Sequence, residues 1–174
     1  MRADRDDGLE RLLAERGDQL IRAAIALAGS RAEGEELLQA GLERLVRNWR
    51  RVKDDDPEGY LRRTLCNLAA DDWRRRVRWG RKLHLLREDT AEPGGAAVVD
   101  QRDELIRLLR QLPPRQRAVI VLRYWEQRSE AEVADLLGCT PGTVKSAASR
   151  GLRKLRELVE ASHDNRTDLV EDKS

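Results

Sequence analysis

Aromatic residues are nearly missing from this chain: of 174 residues none is Phe, two are Tyr and four are Trp. Cysteine is as scarce. Cys66 and Cys139 lie far apart, so a disulfide framework is not indicated and the cytoplasm is the default compartment. His84 and His163 are the two histidines, and their spacing to the thiols fits no zinc or haem pattern. No metal or other cofactor is therefore expected. A histidine beside a linker and another in a tail argue against a Ser-His-Asp catalytic set. Pro93-Gly94-Gly95 is a chain breaker, not a G-x-x-x-x-G-K phosphate loop. An enzyme is not expected. No apolar run approaches the roughly 20 residues that span a bilayer, so no membrane is expected as a partner. The acidic, polar start MRADRDDGLE argues against a targeting segment.

Charge is abundant, at 38% of residues, yet the net is only +2. The near balance hides blocks. Residues 1–36 carry nine acids against six bases, and Leu61 to Lys82 carries eight bases against Asp71 and Asp72. Thr140 to Arg156 holds five bases and no acid, and Glu157 to Ser174 returns to six acids against two bases. Two basic blocks parted by an acidic spacer suit a protein that touches a polyanion in two places. Taken alone, such runs are more often solvated helix faces.

Apolar residues recur at three and four, and strand signals are nearly absent. The first helix reads Leu9, Leu12, Leu13, Leu20, Ile21, Ala24, Leu27, Ala28 and stops at Gly29. Ser30-Arg31-Ala32-Glu33 has the form of a capping box for a second helix, which buries Leu37, Leu38, Leu42, Leu45, Val46 and Trp49. Asp56 as N-cap and Pro57 as first residue open a third helix running to about Trp79. Residues 83–104 hold breakers and acids without a periodic face and read as a flexible linker. Helical periodicity resumes at Leu105 and breaks at Pro113-Pro114, and a short helix with Val119, Leu122 and Trp125 follows. The expected fold is all-α. Two small helical domains, 1–82 and 105–162, flank the linker, and 163–174 is expected to be a disordered tail.

The sharpest local signal is a helix-turn-helix. Ser129-Glu130-Ala131-Glu132 is a capping box, Gly138 ends the helix it starts, and Thr140-Pro141 begins the next. Val144, Ala148, Leu152 and Leu155 are expected to point inward. Thr143, Lys145, Ser146, Ser149, Arg150 and Arg153 are then left for DNA, as small polar and basic groups suited to a major groove. An ordinary helical hairpin shares the cap and the glycine turn, but a second helix without acids favours DNA.

Read together, these blocks resemble the sigma-70 family of bacterial RNA polymerase sigma factors, in its small extracytoplasmic-function group. Leu112-Pro113-Pro114-Arg115-Gln116-Arg117 looks like the family's L-P-x-x-x-R, and Leu137 to Ser146 is similar to its L-G-x-s-x-G-T-V-K-S core. Glu33 to Gln39 resembles D-A-E-D-L-V-Q, and Asn67 to Arg76 resembles N-x-A-x-D-x-x-R-R. The resemblance covers roughly 9–82 and 105–159, and its ordered motifs are far more specific than a helix-turn-helix alone. It implies a non-catalytic factor that binds core RNA polymerase and directs promoter recognition, the first domain melting DNA and the second reading the upstream element. It leaves open whether an anti-sigma factor exists.

By the same resemblance, Glu33, Glu35, Glu36, Gln39 and Arg44 become candidate contacts to a basic clamp on the polymerase. For the acids, plain helix capping is the competing account. Lys53, Asn67, Asp71, Trp73, Arg74 and Arg75 become candidates for the melted downstream element, since rings stack on bases and guanidiniums follow phosphate. Gly34 and Gly41 depart from expectation, each costing a helix about 1 kcal/mol relative to Ala. Ala147 stands where many members carry Arg. A stand-alone regulator binding duplex DNA without polymerase is the rival reading, and it leaves the first domain without a task.

Overall fold

The computed structural model describes residues 2–83 and 101–171, with side chains placed for 5–78 and 101–162. Seven α-helices make up the described residues, and no strand occurs among them. They are α1 (Arg2–Ala28), α2 (Arg31–Val52), α3 (Pro57–Leu83), α4 (Gln101–Arg110), α5 (Pro114–Ile120), α6 (Glu130–Leu137) and α7 (Pro141–Glu171). A single π-helical turn, Val121–Trp125, extends α5.

Local chemistry sets most boundaries. Gly29 ends α1 at φ +98°, and the Ser30 hydroxyl accepts from the Glu33 N–H to start α2. The Asp56 carboxylate accepts from the Gly59 N–H at 2.7 Å, capping α3 before Pro57. Ser129 and Glu132 close a full capping box at α6, and Gly138 ends it at φ 60°, ψ 45°. The Ser30 box, by contrast, forms only one arm. Glu33 turns its carboxylate to the Ser30 hydroxyl and to arginines elsewhere in the chain.

Two sequence boundaries move. Residues 101–104, expected in the linker, form the first turn of α4, where Asp103 and Glu104 meet the positive end of the helix dipole. Expected linker residues 84–100 lie outside the described residues. The expected tail begins as helix, because α7 continues through Glu171; extending an existing helix carries no nucleation cost.

One contiguous core runs through both halves. Leu20, Ala24 and Leu27 of α1, Leu45 and Trp49 of α2, and Leu61 and Leu65 of α3 meet Leu109, Leu112, Val119, Leu122, Val133 and Val144 of the second half. Helix α1 packs on α4 and α5, and α3 packs on α5 and α6. The core's polar centre is Arg117, 3% exposed, whose Nη1 donates to the Leu27 carbonyl and whose Nη2 donates to the Arg110 and Leu112 carbonyls.

The two awkward glycines of α2 are explained by close approach. A Cβ on Gly34 would stand 2.6 Å from the Ile25 backbone, and one on Gly41 would stand 2.7 Å from Leu65. Helix α2 is thereby allowed to lie tightly on α1 and α3. Gly34→Ala should therefore lower the melting temperature, because a clash with backbone, costing about 1–3 kcal/mol, outweighs about 1 kcal/mol of gained helix propensity. Gly17, with nothing within 4 Å of its Cβ direction, is the control. Gly17→Ala should stabilise by about 0.5–1 kcal/mol. Thermal unfolding that showed Gly34→Ala rising with it would contradict this packing.

Candidate functional site

Three surfaces carry the residues singled out above. On α7, the Thr140 hydroxyl accepts from the Thr143 N–H at 3.2 Å, and the two threonine hydroxyls lie 2.9 Å apart. The Ser146 hydroxyl donates to the Thr143 carbonyl at 3.0 Å. Lys145, Ser146, Ser149, Arg150 and Arg153 are exposed, with Thr143 half-buried at the helix start. The face against the core differs slightly from expectation. Val144 and Ala148 are buried as expected, and Leu155 packs on the core, but Leu152 is 37% exposed. Ala147 and Gly151 take its place inside, so position 147 faces the core and not solvent. Seated on α5 and α6, this basic face is held rigidly outward. It can follow phosphates and present Arg forks to base edges.

On α3, Asn67, Asp71, Arg74 and Arg75 are exposed. Asp71 pairs with Arg74 at 2.5 Å, and Arg75 approaches Asp72 at 3.9 Å. Helical spacing puts Asn67, Asp71 and Arg74 on one stripe with Arg75 beside it. Trp73 sits about 240° round from Asn67 at 3.6 residues per turn, and it is half-buried. The helix therefore separates this ring from the polar stripe. Lys53 lies apart from both, as the C-cap of α2.

Along α1 and α2, Ile21, Leu38, Leu42 and Val46 line a groove of about 700 Å³ rimmed by Glu35, Gln39, Glu43 and Arg47. Leu38, Leu42 and Val46, expected inside, are only half-buried. The apolar stripe of α2 is wider than its neighbours cover. Of the acidic candidates, Glu35 and Gln39 stand on this rim. Glu36 faces a separate depression with Leu37, Ala40, Leu68 and Arg75, and Glu33 turns to Arg76 and Arg110. Arg44 is exposed, its carbonyl accepting from the Asn48 side chain at 2.9 Å. Sequence reasoning missed Glu43 and Arg47. Their i, i+4 spacing from Gln39 and Glu43 was the available signal.

Among the described residues no three His, Cys, Asp or Glu converge as a metal site, and no helix is long and apolar enough to cross a membrane. Cys66 is buried, which pushes its thiol up to about 12, whereas Cys139 is half-exposed in the turn before α7. A maleimide at pH 8 should accordingly label Cys139 in the native protein and reach Cys66 only on unfolding. Mass spectrometry showing two rapid native labels would contradict the burial of α3 in the core.

Comparison with known proteins gives a consistent picture. A model described as Sigma-70 region 2 matches residues 12–78, and one described as Sigma-70, region 4 matches residues 102–155. The RNA polymerase sigma-E factor of Streptomyces coelicolor is 36% identical over 149 residues, 85% of this chain and 84% of that protein. The RNA polymerase sigma factor CarQ of Myxococcus xanthus is 33% identical over 159 residues, 88% of this chain and 90% of that protein. Among solved structures, the Bartonella quintana sigma factor RpoE, in complex with the anti-sigma factor NepR, is similar in fold. Its TM-score is 0.64 at 24% identity, covering 87% of this chain and 96% of that one. CnrH, in complex with the cytosolic domain of CnrY, has a TM-score of 0.59 at 24% identity, with 87% of each chain covered.

Proposed function

We propose, since the chain belongs to the sigma-70 family of RNA polymerase sigma factors and to its extracytoplasmic-function type, that its three surfaces divide the work of starting transcription. The protein binds core RNA polymerase and directs it to promoters. Its role is to position and open DNA, and bond-making belongs to the polymerase. The stand-alone regulator reading has no use for the region 2 match over residues 12–78. It works in the cytoplasm, where polymerase and promoters meet.

The observation that carries the division of labour is the groove of α1 and α2. It is apolar at its floor and carries Glu35, Gln39 and Glu43 at its rim. An amphipathic helix with a basic face fits such a site, the floor supplying area and the rim supplying partner choice. We assign it to the polymerase clamp, with Glu35 and Gln39 as direct contacts and Glu36 and Arg44 at the periphery. The Bartonella sigma factor was solved with an anti-sigma factor, and an anti-sigma factor for this chain is part of the same reading.

The exposed face of α7 takes duplex DNA at the upstream promoter element. Arg150 and Arg153 are its candidate base-reading forks, and Lys145, Ser146, Ser149 and Thr143 hold backbone and register. The stripe of Asn67, Asp71, Arg74 and Arg75, with Lys53 nearby in sequence to α3, takes the unwound downstream element. Asp71 pairs with Arg74 at 2.5 Å, which keeps the guanidinium on the stripe within reach of a splayed base or phosphate. Trp73 serves as a stacking surface only where strand separation leads a base round the helix.

Glu35→Lys should weaken co-elution with core polymerase by at least about tenfold, a change of about 1.4 kcal/mol, with the helical CD signal unchanged. Undiminished co-elution would place docking elsewhere. Arg150→Ala should cut transcription from a cognate promoter while leaving polymerase binding intact, since a bidentate guanine contact supplies about 1–3 kcal/mol of discrimination. Equal transcription from cognate and upstream-mutated promoters in the wild type would remove the basis for that assignment.

A further inference from the structure

A polar cavity of about 590 Å³ lies where α1, α3 and the segment Trp125–Arg128 meet. That segment departs twice from regular backbone. Trp125 ends the π-helical turn, which the Glu126 N–H closes by donating to the Val121 carbonyl at 3.0 Å, and Gln127 holds a left-handed φ of 57°. Single π-turns and left-handed residues other than glycine collect at functional sites. Here they set Trp125, Glu126 and Arg128 together on the cavity wall.

The wall carries an unmet polar pair. The Glu126 side chain is only 6% exposed; its Oε1 takes Arg62, while its Oε2 and the Arg128 Nε stand 3.6 Å apart, both buried and neither in a hydrogen bond. Such groups call for a partner. An acceptor and a donor side by side are the complement of a nucleobase edge, which also sets a donor beside an acceptor. The other carboxylates of the cavity are already engaged. Glu58 Oε1 accepts from Arg62 and Arg128 at 3.0 Å, and Glu132 Oε2 accepts from the Ser129 N–H at 2.7 Å.

Trp125 and Arg22 also line an adjoining cavity of about 650 Å³, which holds Arg22, Arg31, Arg102 and Arg107 against Asp18 and Asp103. Among the described residues neither Arg22 nor Arg107 has a carboxylate partner. We propose that the two cavities form one binding site for a purine nucleoside triphosphate. The base edge meets Glu126 and Arg128, the purine ring lies against the half-buried Trp125, and the phosphates run along Arg22 and Arg107. Each part answers a separate demand. A flat ring stacks on indole, guanidinium forks suit phosphate oxygens, and both cavities have the volume of a small-molecule site. A purine covers more of the indole than a pyrimidine does. None of these five contacts lines the groove of α1 and α2, the α3 stripe or the α7 face, so the site stands apart from the polymerase and DNA assignments.

The test is calorimetric titration of the full chain with ATP, GTP and inorganic triphosphate. Variants Arg22→Ala and Arg107→Ala probe the site. Both side chains are exposed, and CD verifies that the helices persist. Arg11→Ala on the same helix as Arg22, and Arg150→Ala on the α7 face, are the controls. The expected result is one ATP or GTP per chain, bound at least about tenfold more tightly than triphosphate. Arg22→Ala and Arg107→Ala should each weaken it by about tenfold, the scale of one hydrogen bond to a charged group, and the two controls should leave it unchanged. Binding of neither nucleotide would overturn the proposal. Triphosphate binding as tightly as ATP and GTP would remove the base from the site. Affinity that fell with Arg150→Ala but not with Arg22→Ala would place the nucleotide on the DNA face and overturn it as well.

Discussion

A guanidinium taken out of water has to be met by acceptors, and Arg117 meets them in both halves of the molecule. Two of its carbonyl partners, Arg110 and Leu112, belong to the turn between α4 and α5, and the third, Leu27, ends α1. Burial pulls this arginine down to about 10, so it still carries its charge near neutral pH. A buried cation of this kind adds little net stability but is costly to strand. The turn, the end of α1 and the seat of the second half are therefore specified together. Other polar contacts between the halves, from Arg62 with Glu126 to Arg63 on the end of α6, extend the same constraint across the shared core.

Charge in this molecule serves three different tasks, which the near-neutral net conceals. The basic residues of α7 up to Arg156 face outward with no acid among them before Glu157, which is what a polyanion requires. Arginines of α3 split along the helix: Arg62 and Arg63 fasten the second half, while Arg74 and Arg75 lie on the exposed stripe. The acids of α2 divide in the same way. Glu33 is held inside the molecule's own network, whereas Glu35 stands at the rim of an apolar groove. Glu33 and Glu35 meet different partners because the helix turns about 200° between them.

Features set by local chemistry are legible in the amino-acid sequence itself. The Ser129–Glu132 box, the Asp56-Pro57 start and the Gly138 stop each depend on residues within four positions, and the helix-turn-helix follows from them. Features set by distant neighbours are not. The spacing of Leu38, Leu42 and Val46 announces an apolar stripe, but only packing decides whether another helix covers it. The partners of Glu33 lie 43 and 77 residues away, and no periodicity carries that information. At α7, the inward face is turned enough that Ala147 replaces Leu152 in the core, a shift that apolar spacing alone does not resolve. Gly34 and Gly41, costly by propensity, become intelligible only when the helices they let approach are in place.

Strand separation at a promoter tests the central claim most directly, because the proposed division of labour makes it depend on polymerase, upstream recognition and the α3 stripe at once. Permanganate reactivity of thymines can be followed on genomic promoter fragments incubated with core polymerase, with this protein, and with both. The account predicts reactive thymines in a short segment near the start site only when both are present, with protection upstream of it. Duplex protection by the protein alone, unchanged by core polymerase and without any reactive thymines, would contradict it.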